Sequence, residues 1–224
     1  LASTFVNPMT AAAVAGPKLY AIESKMLDNA MAPTTLNKQA GAIVWQGSPH
    51  KFEKLDPSKI GTGEGAQSYG HGMYVAEQKA VGQEYAKRLS KDGTGYLYKI
   101  DIPDELIAKM LDWDKPLSQQ APGVQAAIKR TRSMLPANAI DDLGGDLSLL
   151  YGRDVGADSF LGTMNSIQPN LGEALLQKAG IPGVRYLDGG SRGAGSSNFV
   201  VFPGNEDLLR ILERNGQPIG LLGR

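Results

Sequence analysis

Five short runs rich in β-branched and aromatic residues set the first limit on how this chain folds: IVWQG (43–47), GHGMYVAE (70–77), GYLYKIDIP (95–103), GVRYLDGG (183–190) and NFVVFPG (198–204). Each is bounded by turn-forming residues, and runs of that length and composition read as strands. Between them lie segments with apolar residues at helical spacing: KAVGQEYAKRLS, the block around PGVQAAIKRTRSML, DDLGGDLSLLYGRD and NLGEALLQKAG. The last runs into KAGIPG, with Lys178 in the final turn, Gly180 as cap and Pro182 beyond it. At least five strands interleaved with helices make the expected class α+β. Ahead of them, Ala13, Leu19, Ile22, Met26 and Leu27 partly fit helical spacing around Gly16-Pro17. Residues 1–40 are therefore expected to form a helical arm and linker, and residues 41–224 a domain.

The glycines cluster. They gather in GTGEGAQSYGHG (61–72) and DGGSRGAG (188–195), each between two expected strands, which marks long irregular loops of the kind that carry function. Neither loop precedes a helix in the phosphate-cradling pattern, and GTGEG has no Gly-Lys-Ser/Thr after it.

Composition excludes several chemistries. Lys plus Arg equals Asp plus Glu at 23 each, so no net field favours nucleic acid or an anionic membrane. Without cysteine there is no disulfide, no thiolate nucleophile and no Cys-ligated zinc, and His50 and His71 alone cannot make a three-histidine metal site. No metal is expected. No stretch reaches the roughly 18 apolar residues that span a bilayer, and no basic segment with an apolar run and cleavage site opens the chain. Starting at Leu1 suggests a piece of something longer. Ser48 and Ser58 have no evident Asp-His relay, so serine-hydrolase chemistry is not expected.

Candidate chemistry sits in VWQGSPHKF (44–52), where a strand-like run ends in a bare glycine and a serine before Pro49 turns the chain. A glycine there admits a ligand or another backbone closer than a Cβ would allow, and a plain turn accounts for the same letters. A second candidate is Tyr69-Gly70-His71-Gly72-Met73-Tyr74-Val75-Ala76-Glu77, with Tyr85 eleven residues after Tyr74 on the following helix. Two tyrosines from a strand and the next helix can sandwich a flat ring, at about 0.5–1.5 kcal/mol per aromatic pair. Tyr85 also reads as a helix-to-sheet core residue, His71 as a histidine satisfied by backbone, and Asp188 as a turn-forming residue before Gly-Gly.

The order WQGSP, then YGHGMYVAE with Tyr85 beyond, then NFVVF resembles the ADP-ribosyltransferases of the His-Tyr-Glu type, as in diphtheria toxin and the poly(ADP-ribose) polymerases, over about residues 42–204. IGTGEGAQSYGHG and RYLDGGSRGAG are similar to the ADP-ribosyltransferase domains of phage and mobile-element polyvalent proteins. The resemblance implies a split β-sheet core of short, mostly antiparallel strands with flanking helices, and NAD as the substrate. It implies that Gly47 main-chain atoms and the Ser48 hydroxyl hold the nicotinamide carboxamide, with the ring between Tyr74 and Tyr85. Gln46 stands where the family has a ribose-binding His; its amide can still bond a hydroxyl. Asn198 stands where the family has its catalytic Glu. Asp188 is the first choice to supply the missing charge, ahead of Glu64 and Glu77, and His50 could replace the missing His. Gly82 occupies a place where the polymerases usually carry Ser. His71 and Arg192 are further NAD-binding candidates, Arg192 through the diphosphate. The implied activity is mono-ADP-ribosylation of a bacterial host macromolecule, a protein ahead of a nucleic acid, in the host cytoplasm, with virion delivery as part of a larger polypeptide. A catalytically weak or inactive module binding NAD or ADP-ribose, an NAD glycohydrolase and a purely structural piece of a polyprotein are the alternatives.

Overall fold

All five strand-like runs form strands. β1 is Ala42–Ser48, β2 Met73–Ala76, β3 Tyr96–Ile102, β5 Gly183–Leu187 and β6 Ser197–Val201; β4 (Leu111–Asp112), β7 (Arg210–Arg214) and β8 (Gln217–Pro218) complete the set. Helices α1 (Lys79–Leu89), α3 (Pro122–Thr131) and α5 (Leu171–Lys178) fall on expected segments, whereas α2 (Asp104–Ile107) and α4 (Ala157–Ile167) add to them. This computed structural model describes residues 41–61, 67–89, 95–136, 150–151, 153–188 and 195–219, all within the unit Ala40–Arg224. The expected arm over 1–40, most of the expected helix DDLGGDLSLLYGRD, Glu64 and Arg192 lie outside the described residues.

The described strands form a mixed sheet in the order β4-β5-β6-β2-β1-β3-β7-β8. Its ladders are antiparallel except for the β4–β5 pair. β1 pairs with β3 along its whole length, from Ala42↔Ile102 to Ser48↔Tyr96, but meets β2 only at Trp45↔Ala76. The sheet therefore parts between β1 and β2 toward the Ser48 end. β6 is covered on both sides: Val200 and Phe202 join the core beneath α3, α4 and α5, and Phe199 and Val201 join a second core with Val44, Tyr98 and Ile100. An uninterrupted apolar run such as FVVF is what burial on both faces requires.

Two local features fix helix positions. At the end of α5 the Gly180 N–H donates to Gln177 C=O and Ile181 N–H to Leu176 C=O, both at 2.9 Å, with Gly180 at φ +91°. That is a Schellman close, and Leu176 and Ile181 are buried in the same core. α1 lies on β1 through a seam of small residues. A Cβ on Gly47 would come within 2.2 Å of Ala86 N and Gly82 O, and one on Gly82 within 2.9 Å of Trp45 Cβ.

Candidate functional site

Where β1 and β2 part, a cleft of about 450 Å³ opens. Side chains alternate along a strand, so Gln46 and Ser48 lie on the Val44 face of β1 and Gly47 on the Trp45 face toward α1. Because β2 is not zipped to β1 there, both faces reach the same space. Gln46, Gly47, Ser48, Tyr74, Tyr85, Asp188 and Asn198 all line the cleft, as do His50 and Gly82. They come from β1, β2, α1, the exit of β5 and β6. His71 is not on the lining.

The β1 exit is rigidly held. Ser48 Oγ accepts from the His50 N–H at 3.1 Å, the Tyr98 hydroxyl donates to His50 C=O at 3.0 Å and accepts from Phe52 N–H at 2.8 Å, and the Phe52 ring stacks on Tyr98 with centroids 3.9 Å apart. Gly47 is bare because the α1 backbone occupies the place of its side chain. Its main chain still borders the cleft. Gln46 Oε1 is sealed from solvent and has no hydrogen-bond partner, a condition that costs on the order of 1–3 kcal/mol for a buried acceptor.

The two tyrosines differ in state. Tyr74 donates its hydroxyl to Gly70 C=O at 2.9 Å and accepts from Tyr69 N–H at 3.1 Å, so what it offers a ligand is its ring. Burial pushes that hydroxyl up to about 12. Tyr85 is 47% exposed at the cleft, while the buried face of α1 is made by Gly82 and Ala86. It is not a helix-to-sheet core residue. Tyr74 and Tyr85 form no ring pair with each other among the described residues, whereas Tyr69 stacks on Tyr186 at 3.8 Å and meets Trp113 edge-on at 5.1 Å.

At the other wall Asn198 pairs with Ala76 across β2 and with Tyr186 across β5. It is 8% exposed, and burial drives the pKa of its ladder neighbour Tyr186 above the usual range. Asp188 leaves β5 beside it, its N–H donating to Ser196 C=O at 3.3 Å.

Two of the expected residues are placed elsewhere. Glu77 Oε2 accepts from Ser197 N–H at 2.8 Å and its own N–H donates to Ser197 C=O at 3.0 Å; it pins the start of β6 and does not line the cleft. The His71 ring bonds Gln67 Oε1 through Nδ1 at 2.8 Å, and its N–H donates to the buried Glu173 Oε1 at 2.9 Å. His71 thus anchors the 67–71 loop. Arg192 lies outside the described residues.

The lining also holds residues to which the sequence assigned no role. Trp45, with the Lys79 ammonium 4.8 Å over its ring, Tyr69 and Tyr186 extend the aromatic wall. Tyr186 was legible in principle, since it alternates with the core residue Val184. Glu206 carried no signal, because an acidic residue after a strand reads as solvated. The described charged groups on the lining are Lys59 against Asp56, Asp188 and Glu206, with His50 beside them. An aromatic, mainly acidic cleft suits a flat cationic ring and hydroxyl donors.

No family model, curated protein or solved structure matches this chain. The cleft's own chemistry therefore carries the functional reading. Among the described residues no group of His, Cys, Asp and Glu could hold a metal ion, and no helix is long and apolar enough to cross a membrane.

Proposed function

We propose that the cleft binds NAD and that the protein is a mono-ADP-ribosyltransferase acting on a macromolecule, a protein ahead of a nucleic acid, in the cytoplasm of a bacterial host. The observation that carries this is convergence: Gln46, Gly47, Ser48, Tyr74, Tyr85, Asp188 and Asn198, all named on the strength of the resemblance, line one aromatic cleft at the parting of β1 and β2. In this reading the pyridinium lies between Tyr74 and Tyr85, with its carboxamide on the Gly47 main chain and the Ser48 hydroxyl. The acidic lining suits its positive charge. The bond from ring nitrogen to ribose breaks with its electron pair passing to the ring, which leaves as neutral nicotinamide. Positive charge develops on the ribose, and Asp188 is the carboxylate that stabilises it while Asn198 bonds a ribose hydroxyl. A lone pair of the acceptor then bonds the anomeric carbon, and the acceptor's proton leaves.

One observation favours a second reading. Gln46 and Asn198 are amides where this chemistry commonly uses titratable groups, so the cleft would hold NAD or ADP-ribose without turning it over. Calorimetry with NAD followed by a nicotinamide-release assay separates the two. Release that falls in Asp188→Ala supports the transferase; tight binding with no release over hours, unchanged in Asp188→Ala, establishes the binding module. Labelled NAD in a bacterial lysate distinguishes a transferase, which labels a macromolecule, from a glycohydrolase, which leaves only free ADP-ribose.

A further inference from the structure

β2 ends at Ala76, which pairs with Asn198, and the contact that follows is irregular. Glu77 N–H donates to Ser197 C=O at 3.0 Å, as a regular antiparallel pair requires. The return bond runs to the side chain: Ser197 N–H donates to Glu77 Oε2 at 2.8 Å. A carboxylate thus completes the rung, so the chain can leave the sheet for α1 while the first residue of β6 stays pinned. The next residue adds a second tie, Gln78 Nε2 donating to Ser196 Oγ at 2.9 Å.

These ties bear on the two residues to which the proposed chemistry assigns the ribose. Ser197 directly precedes Asn198 and pairs with Leu187 on β5, and Ser196 C=O accepts from Asp188 N–H at 3.3 Å. Residues 196 and 197 therefore set Asp188 and Asn198 against each other, and Glu77 and Gln78 hold them from the β2 side. Ser197 is 7% exposed, so its N–H has little water to turn to once the carboxylate is gone. Glu77 does not line the cleft, so it works through this contact and not on a ligand. The nicotinamide contacts of the proposed site stand apart, since Gly47 and Tyr85 are placed by the packing of α1 on β1.

We propose that Glu77 is a positioning residue for the reaction: it fixes Asn198 and Asp188 at the ribose and leaves nicotinamide binding alone. The assignment rests on the transferase reading of the cleft. Its test is nicotinamide release at saturating NAD and calorimetric NAD affinity in the unmodified chain, Glu77→Ala, Glu77→Asp and Glu77→Gln, with thermal denaturation of each. A displacement of about 1 Å at reacting groups costs on the order of 100-fold, so Glu77→Ala is expected to slow release by about 10- to 100-fold, with affinity changed by less than about twofold. Glu77→Gln keeps the reach and an acceptor oxygen, and is expected to recover most of the rate. Glu77→Asp keeps the charge but withdraws it by one methylene, and is expected to slow release by about tenfold. The Gln and Asp variants decide the matter if Glu77→Ala does not fold. A fast Asp variant beside a slow Gln variant overturns positioning in favour of the charge itself. Unchanged release in the folded variants, or a loss of affinity as large as the loss of rate, overturns the role of Glu77 and leaves the cleft reading standing. An unmodified chain that releases no nicotinamide overturns the transferase reading and this role with it.

Discussion

In the proposed transferase, Asn198 is the residue on which the rate would depend. It is nearly buried and set between Ala76 and Tyr186 in the ladder. A carboxylate there would bring the charge that an amide lacks. Asn198→Glu is therefore expected to raise nicotinamide release by about 100-fold or more, the scale of one well-placed electrostatic partner; an unchanged rate in a folded, NAD-binding variant would place the chemistry elsewhere. Tyr85 bears on binding alone. Being half exposed, it can be removed with little loss of stability, and Tyr85→Ala is expected to weaken NAD affinity by about 1–3 kcal/mol in calorimetry. Unaltered affinity would rule out the ring sandwich.

At the scale of elements, the deciding contact is between α1 and β1. Gly47, Gly82 and Ala86 bring a helix backbone against a strand, and this places Tyr85 on the same cleft as Tyr74. Of the two readings of the bare glycine, room for a ligand or for another backbone, the second holds: it makes room for a helix and shapes the cleft by setting where that helix sits. Gly47→Ala would press a Cβ onto main-chain atoms that cannot rotate away. It is expected to cost about 3 kcal/mol, the upper part of the range for overpacking, read as a lower midpoint in urea denaturation. The 67–71 loop is a second such device: Glu173 holds His71 N–H and the Tyr74 hydroxyl holds the backbone at 69 and 70.

For the whole molecule, several tyrosines stand at the junction of sheet and helices with hydroxyls that burial keeps protonated. Tyr74 is pushed from the usual 10.0 to about 12, and Tyr98, Tyr151 and Tyr186 are raised with burial as the leading cause. The folded chain holds these protons more tightly than the unfolded one. Their contribution to stability is therefore complete below about pH 10 and is lost as pH climbs toward 12. Urea midpoints measured from pH 9 to 12 are expected to fall across that window, and Tyr74→Phe to flatten part of the slope. A midpoint independent of pH over that range would contradict the burial of these hydroxyls.

Period and punctuation settled much of this protein in advance. IVWQG, GYLYKIDIP and NFVVF are strands because β-branched runs between turn residues have few other options, and KAGIPG closes a helix because Gly180 takes a positive φ. Segments whose local letters carry weak signals stayed hidden: β4 and β8 are two residues each, and β7, RILER, is at most half buried and shows no apolar period. The family resemblance brought out Gln46, Gly47, Ser48, Tyr74, Tyr85, Asp188 and Asn198 as one expected site, but local letters do not put them in one cleft. That came from strand order, with β6 beside β2 and β1 meeting β2 at a single pair. The same long-range pairing put Glu206 on the lining and left His71 and Glu77 tying loop and strand ends to the scaffold. Local sequence fixes backbone preference within a few residues; which side chains converge depends on contacts between residues more than a hundred positions apart, and only the folded sheet supplies those.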